Sequence, residues 1–201
     1  MEAAQALTQD YITIILGLVV LTLAALLWRL IYRRKSEEPQ AKFRKVSKAY
    51  LSDFLIPDGQ GGEIHIDHAM LCSRGIVIVD IKDVAGNIFG SDSMQDWTVI
   101  TGKTRFTFAN PQSGLFDRTA AVAHLLPNLP VKGYIAFTER GKFTKGLPGH
   151  VIGLNALVGE LAEEAKSGAE ALDAYWPAWE KLRDEAVVAQ VGRLIEDQPS
   201  Q

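Results

Sequence analysis

Three ionisable side chains interrupt one of the most apolar, β-branched stretches of the chain: Asp67, Asp80 and Lys82 within residues 64–83, IHIDHAMLCSRGIVIVDIKD. Burying a charge is costly unless it is paired or bound to metal, so the stretch needs a compensating arrangement. Two carboxylates that converge with a lysine can share a hard divalent cation such as Mg²⁺. The cation polarises a phosphate oxygen and lowers the pKa of a bound water, and the lysine holds that water or stabilises developing negative charge. The alternative is an ordinary ion pair, with Asp80 held by Lys82 or Arg74 and Asp67 capping a turn. The spacing of D-x-K alone leaves both readings open.

The elements that must position these groups follow from periodicity. In GIVIVDIKD, Ile76, Ile78, Asp80 and Lys82 share one strand face and Val77, Val79 and Ile81 the other. Both faces are apolar at the start, as in a central buried strand. Cys72-Ser73-Arg74-Gly75 reads as a hairpin turn, and with the turn centred on Ser73-Arg74, Asp67 of the preceding strand falls opposite the region of Asp80. PDGQGG at 57–62 is loop chemistry. Before it, AKFRKVSKAYLSDFL, with Phe43, Val46, Tyr50, Leu51 and Phe54 near helical spacing, predicts an amphipathic first helix. NIFG, WTVITG and KTRFTFAN predict short strands. After NPQSG breaks the pattern, LFDRTAAVAHLL predicts a helix ending at Pro127, VKGYIAFT a strand, GKFTKGLPG a loop and HVIGL a last short strand. From Asn155 the pattern is helical with breaks at Gly168 and Pro177. Within it Trp176 and Trp179, three apart, read as core contacts. The order predicts an α+β fold with a mixed β-sheet flanked by helices.

Composition narrows the setting. Tyr11–Trp28, YITIILGLVVLTLAALLW, is an uncharged run, and residues 11–32 predict one transmembrane helix. A cleaved signal peptide would carry a basic start and a small-residue cleavage site, whereas this start is acidic; a buried core helix would not normally be apolar on every face. Arg29, Arg33, Arg34 and Lys35 follow the run while Glu2 and Asp10 precede it. The expected arrangement is therefore a single-pass anchor in the cell inner membrane, with the C-terminal domain cytoplasmic. Residues 33–41 then read as a basic and polar linker. The single cysteine, Cys72, fits a reducing compartment and reads as a small buried hydrophobe. Residues 36–201 carry about five more acidic than basic side chains, with the excess in 156–201. That balance weighs against tight, non-specific DNA binding and fits an acidic helical region able to bind a protein partner. No zinc spacing, phosphate-binding glycine loop or dinucleotide fingerprint is present.

The stretch from about Phe43 to Leu154 resembles the nuclease-related domain (NERD) family of the PD-(D/E)xK nuclease superfamily. The residues carrying the resemblance are GGEIHIDHAML with its IDH strand, GIVIVDIKDVAGNIFG with a glycine-started strand, acidic-x-Lys and G-x-I-x-G, Trp97, and Asn110-Pro111 before a helix. The resemblance implies a restriction-endonuclease-like core over residues 42–155 and Mg²⁺-dependent phosphodiester hydrolysis, with Mn²⁺ as a substitute and nucleic acid as partner. Carried over by motif, Asp67 and Asp80 are metal ligands, the backbone carbonyl of Ile81 is a further ligand, and Lys82 is the catalytic lysine. His68 orients Asp67, and Gln112 supports the site. His65 reads as a satisfied strand histidine. Asp80 stands where the family more often has Glu. Lys42-Phe43 replace the family's Gly-Glu, and Gly114 stands where a glutamine usually follows Asn-Pro. These departures leave a second reading open, a catalytically inactive, membrane-tethered interaction module with a degenerate nuclease fold.

Overall fold

The computed structural model describes residues 21–23, 38–166 and 169–196. Apart from Leu21–Leu23, which are helical, the expected membrane span lies outside the described residues. Among those that are described, no helix is long and apolar enough to cross a membrane.

The first element, α1 (Pro39–Val46), starts on a proline suited to a first helical turn and buries Phe43 completely. It ends at Ser47, whose N–H and Oγ both donate to the Phe43 carbonyl, at 3.1 and 2.7 Å. The predicted helix through Leu55 is therefore half as long as expected. Its second half is strand β1 (Ala49–Pro57), paired antiparallel with β2 (Glu63–Cys72). Asp53 explains the misleading pattern. Its φ of 56° is left-handed, and the core-facing residues change parity there, from Ala49 and Leu51 to Phe54 and Ile56. A strand that switches faces places Leu51 and Phe54 three apart on one side, which imitates helical spacing. Asp58 closes the β1–β2 loop by accepting the N–H groups of Gln60 and Gly62 at 2.7 and 2.9 Å, which hold its carboxyl below the ordinary carboxylate range.

A two-residue turn, Ser73-Arg74, leads to β3 (Gly75–Lys82), in register with β2 from Cys72↔Gly75 to Ala69↔Ile78. Gly75 has φ 107°, and a Cβ there would collide with the Pro130 carbonyl oxygen. Gly75→Ala is expected to destabilise the protein by about 3 kcal/mol, through strain plus a clash with backbone that cannot move aside. The measurement is the urea midpoint at unchanged m-value. Arg74 donates to the Tyr134 hydroxyl at 2.8 Å and pairs with Glu164, so it is not the counter-ion of Asp80.

The chain continues through β4 (Gly86–Phe89), β5 (Asp96–Thr101), β6 (Thr104–Ala109), α2 (Gln112–Leu125) and β7 (Val131–Phe137). It ends with β8 (Gly141–Phe143), β9 (Val151–Gly153), α3 (Leu154–Ala165) and α4 (Ala169–Glu196). Among the described residues the strands form two sheets rather than the one expected. The first is mixed, in the order β1-β2-β3-β7-β9, with β3, β7 and β9 parallel; the second runs β6-β5-β4-β8. The loop predicted at 141–149 contains β8, which pairs with β4. The α2 helix starts at Gln112, inside the expected break. The α4 helix runs through Pro177 unbroken, since Trp179, Leu182 and Ala186 pack it into the core and outweigh the missing N–H. Trp179 is buried as expected, while Trp176 is exposed.

The alternation read in β3 is the organising fact of the core. Ile76 and Ile78 pack with α2, α4 and the second sheet, and Val77 and Val79 pack on the other face with Phe43 of α1 and Leu157 of α3. Cys72 sits in the latter cluster, where burial pushes its thiol up to about 12 and leaves it an inert hydrophobe. Trp97 is fully buried and joins the two sheets, stacked on Phe137 and edge-on to Phe108 and Phe143.

Candidate active site

The β2–β3 ladder stops at Ala69↔Ile78, and continuing its register sets Asp67 opposite Asp80. The strands no longer pair at that point, which leaves one edge of β3 without a paired strand beyond Ile78. Backbone groups of alternate residues point to opposite edges of a strand. Ile76 N–H bonds to the Pro130 carbonyl, and the Lys82 carbonyl accepts from Thr138 N–H, so residues 76, 78, 80 and 82 address the β7 side. The Ile81 carbonyl therefore addresses the β2 side, where no β2 residue pairs with it.

Asp80 is 1% exposed, and among the described residues it is the one Asp, Glu, Lys, Arg or His side chain in the buried core. Its Oδ2 accepts from Arg118 Nη1 at 2.9 Å, and its Oδ1 is buried with no hydrogen-bond partner. Burial raises its pKa above the ordinary carboxylate value; Arg118 opposes the rise, Asp67 adds to it, and Lys82 and His65 pull it down. An orphaned carboxylate oxygen in a core is expensive unless something else occupies it. Arg118 reaches across from α2 and also donates through Nε to the His65 carbonyl at 2.8 Å, tying that helix to the ends of β2 and β3. Lys82 is half-buried on the same face of β3 as Asp80.

Asp67 is held by the histidine before it in sequence, not the one after. His65 Nδ1 lies 3.1 Å from Asp67 Oδ1, and His65 Nε2 lies 2.7 Å from Asp53 Oδ1. The left-handed backbone of Asp53 delivers that second carboxylate to the ring. His68 instead bonds through Nδ1 to the Tyr50 hydroxyl at 2.8 Å and packs against Phe43, on the opposite face of the sheet. The expectation that His68 orients Asp67 is thereby corrected: the His68 ring is taken by Tyr50 and Phe43, and His65 is the ring that meets Asp67. Gln112 is also differently employed. It is buried, and its Nε2 donates to Asp92 Oδ1 and the Gly149 carbonyl, both at 2.7 Å, while Asn110 donates to its Oε1 at 3.0 Å. It braces the start of α2, and the residue of that helix that touches Asp80 is Arg118.

Arg118, His65 and Asp53 are the members that sequence reasoning missed. A signal existed for Arg118: it lies three after Leu115 and four before Val122, on the stripe of α2 that faces the core. A cation on such a stripe calls for a buried anion. Asp53 gave no signal, because a left-handed non-glycine backbone is not written in local composition.

Among the described residues, no group of three or more His, Cys, Asp or Glu side chains is gathered in metal-holding geometry. The donor set is smaller: Asp80 with a buried unpartnered oxygen, Asp67 near enough for its charge to raise the pKa of Asp80, and a strand carbonyl beyond the end of the β2–β3 pairing. It fits Mg²⁺, which is commonly held by one or two carboxylates and keeps several waters. A family model described as NERD, nuclease-related domain, matches residues 34–138, more than half of the chain. The chain belongs to the NERD family. Neither the curated proteins nor the solved structures give a match. The NERD match ends at Thr138, just past β7, so it spans the strands that carry Asp67, Asp80 and Lys82 and the helix that carries Arg118. Beyond it, β9 extends the same sheet and α4 packs into the same core.

Proposed function

We propose that this NERD protein is a single-pass inner-membrane phosphodiesterase that acts on nucleic acid with Mg²⁺, its catalytic domain on the cytoplasmic side. The observation that carries the reading is Asp80: a buried carboxylate with one oxygen unpartnered, within electrostatic reach of Asp67 and followed on its own face by Lys82. Asp67, Asp80 and the Ile81 carbonyl would hold the metal, with Mn²⁺ as a substitute. Bound there, the metal supplies charge neutralisation at a phosphate oxygen and a more acidic water. Lys82 positions the attacking water and offsets negative charge developing on the phosphate. His65 fixes the rotamer of Asp67 through the bond shared with Asp53. Arg118 opposes the rise that burial imposes on the pKa of Asp80. The test is cleavage of end-labelled DNA and RNA by the full chain in detergent. Cleavage with Mg²⁺ that stops with EDTA supports the reading, and no cleavage with either metal counts against it.

Proton competition gives a second check. Because the pKa of Asp80 in the folded protein is raised, the native state holds its proton to a higher pH than the unfolded chain does. Folding stability from this group therefore falls as pH rises from the unfolded aspartate value through the raised one. Over the same window Mg²⁺ affinity rises, since the metal takes only the ionised form. Calorimetric titrations at stepped pH are expected to show weaker binding toward acid, with protons released on binding. In Asp80→Asn this dependence disappears.

A specific observation favours the second reading, the inactive interaction module. The Arg118 guanidinium already satisfies Asp80 Oδ2, as a permanent structural ion pair would. In that case the acidic C-terminal helices, with Trp176, Val187 and Val188 exposed on α4, would serve a protein partner, and the domain would give no heat with Mg²⁺ or Mn²⁺.

A further inference from the structure

Among the described residues, the second sheet packs only one of its faces into the core. Trp97, Val99, Ile88 and Phe143 point into the core, so alternation sends Phe89, Ile100, Arg105 and Lys142 to the opposite face, where Ile100, Arg105 and Lys142 are exposed. The register aligns them. Arg105 pairs with Ile100, Ile100 with Asn87 and Asn87 with Lys142, making one continuous row across all four strands. The neighbouring row runs Thr107, Thr98, Phe89, and Lys145 Nζ sits 6.0 Å over the Phe89 ring. Among the described residues no carboxylate pairs with Arg105, Lys142 or Lys145. Asp96 shares this face with Thr98 and Ile100, and against it stand Arg105, Lys142 and Lys145; in a chain of net charge −3 that is a local inversion of the overall charge.

We propose that this outward face is a platform for single-stranded nucleic acid. Cations at both ends of the row fit a phosphate backbone crossing the strands, and Phe89 and Ile100 between them offer an aromatic ring and an apolar surface to unstacked bases. Asn87, Thr98 and Thr107 supply hydrogen-bonding groups among them. A duplex presents its phosphates but hides its base faces, so it gains the charge and forgoes the stacking. A lipid surface shares the charge preference, but the apolar groups here lie among amide and hydroxyl groups in mid-sheet, where they cannot protrude into acyl chains. β4 follows Lys82 after three residues, so the Gly86 end of this sheet lies within about 15 Å of Lys82. The proposal rests on the nucleic-acid reading of the active site and narrows its substrate to single strands.

The test is fluorescence anisotropy of the full chain in detergent with labelled 20-nucleotide oligo-dT, oligo-U and a 20-base-pair duplex, in EDTA so that no cleavage intervenes. Single strands are expected to bind at least tenfold tighter than the duplex. Arg105→Glu with Lys142→Glu should weaken single-strand binding at least tenfold and flatten its salt dependence, and Phe89→Ala should weaken it about fivefold at unchanged salt slope. All three substitutions are on the solvent side, and circular-dichroism melts confirm folding. Equal binding of duplex and single strand, or unaltered binding in the charge-reversed variant, overturns the proposal. So does a variant that loses only its association with phosphatidylglycerol vesicles, which would mark a lipid-facing surface. Asp80→Asn separates the two proposals: binding intact with cleavage lost leaves both standing. Mg²⁺-dependent cleavage by a chain indifferent to the sheet substitutions removes only the platform.

Discussion

Asp80→Asn is expected to lower Mg²⁺-dependent cleavage by about a thousandfold, roughly 4 kcal/mol of transition-state stabilisation, while leaving the protein folded. The substitution preserves shape and removes charge. Asn offers one oxygen in place of two and no negative charge, so the donor set opposite Asp67 falls to a single carboxylate. Stability should change far less than activity. The uncharged side chain relieves the burial that raises the pKa of Asp80, against which Arg118 loses an anionic partner. Arg118 is 23% exposed and keeps its bond to the His65 carbonyl, so the net change is expected to stay below about 2 kcal/mol. Initial rates on a labelled oligonucleotide, with melting followed by circular dichroism, measure both. A loss of activity that merely tracks a loss of folded protein would place Asp80 in the framework instead of the chemistry.

Trp97→Ala should have the largest effect on stability, about 3–5 kcal/mol by urea denaturation. Its ring is fully buried at the junction of the two sheets, and its Nε1 donates to the Ser91 carbonyl at 3.2 Å. Alanine leaves a cavity bordered by Phe108, Phe137 and Phe143, rings held by a β-framework that collapses only partly. The site should feel the change as well. Phe137 pairs in register with Lys82, so loosening the end of β7 loosens the strand segment that presents the lysine. Trp97→Phe, which keeps an aromatic ring at the junction, should recover more than half of the loss.

The parts of the architecture that rest on strong periodicity were legible in the chain. β2, the Ser73-Arg74 turn and β3 follow from β-branched runs around a glycine that only a left-handed backbone explains, and they set Asp67 toward Asp80. Where one residue breaks a period, the reading failed. Asp53 turns β1 over and disguises it as helix, and the same residue brings the second carboxylate to His65. The partner of Asp80 was hidden for another reason: Arg118 is 38 residues away in sequence and meets it only after β4, β5 and β6 have been inserted between β3 and α2. Pro177 misled because tertiary packing of α4 outweighs one absent hydrogen bond. Net charge says nothing of distribution: the acidic average contains a sheet face on which, among the described residues, Arg105, Lys142 and Lys145 have no carboxylate paired to them.

The most direct measurement is a calorimetric titration of Mg²⁺, and separately Mn²⁺, into the full chain and into Asp80→Asn at neutral pH. A metal site at Asp67, Asp80 and the Ile81 carbonyl predicts saturable binding in the first protein and none in the second. Absence of binding in the unaltered chain, or equal binding in both, would contradict it and identify the Arg118–Asp80 contact as a structural ion pair.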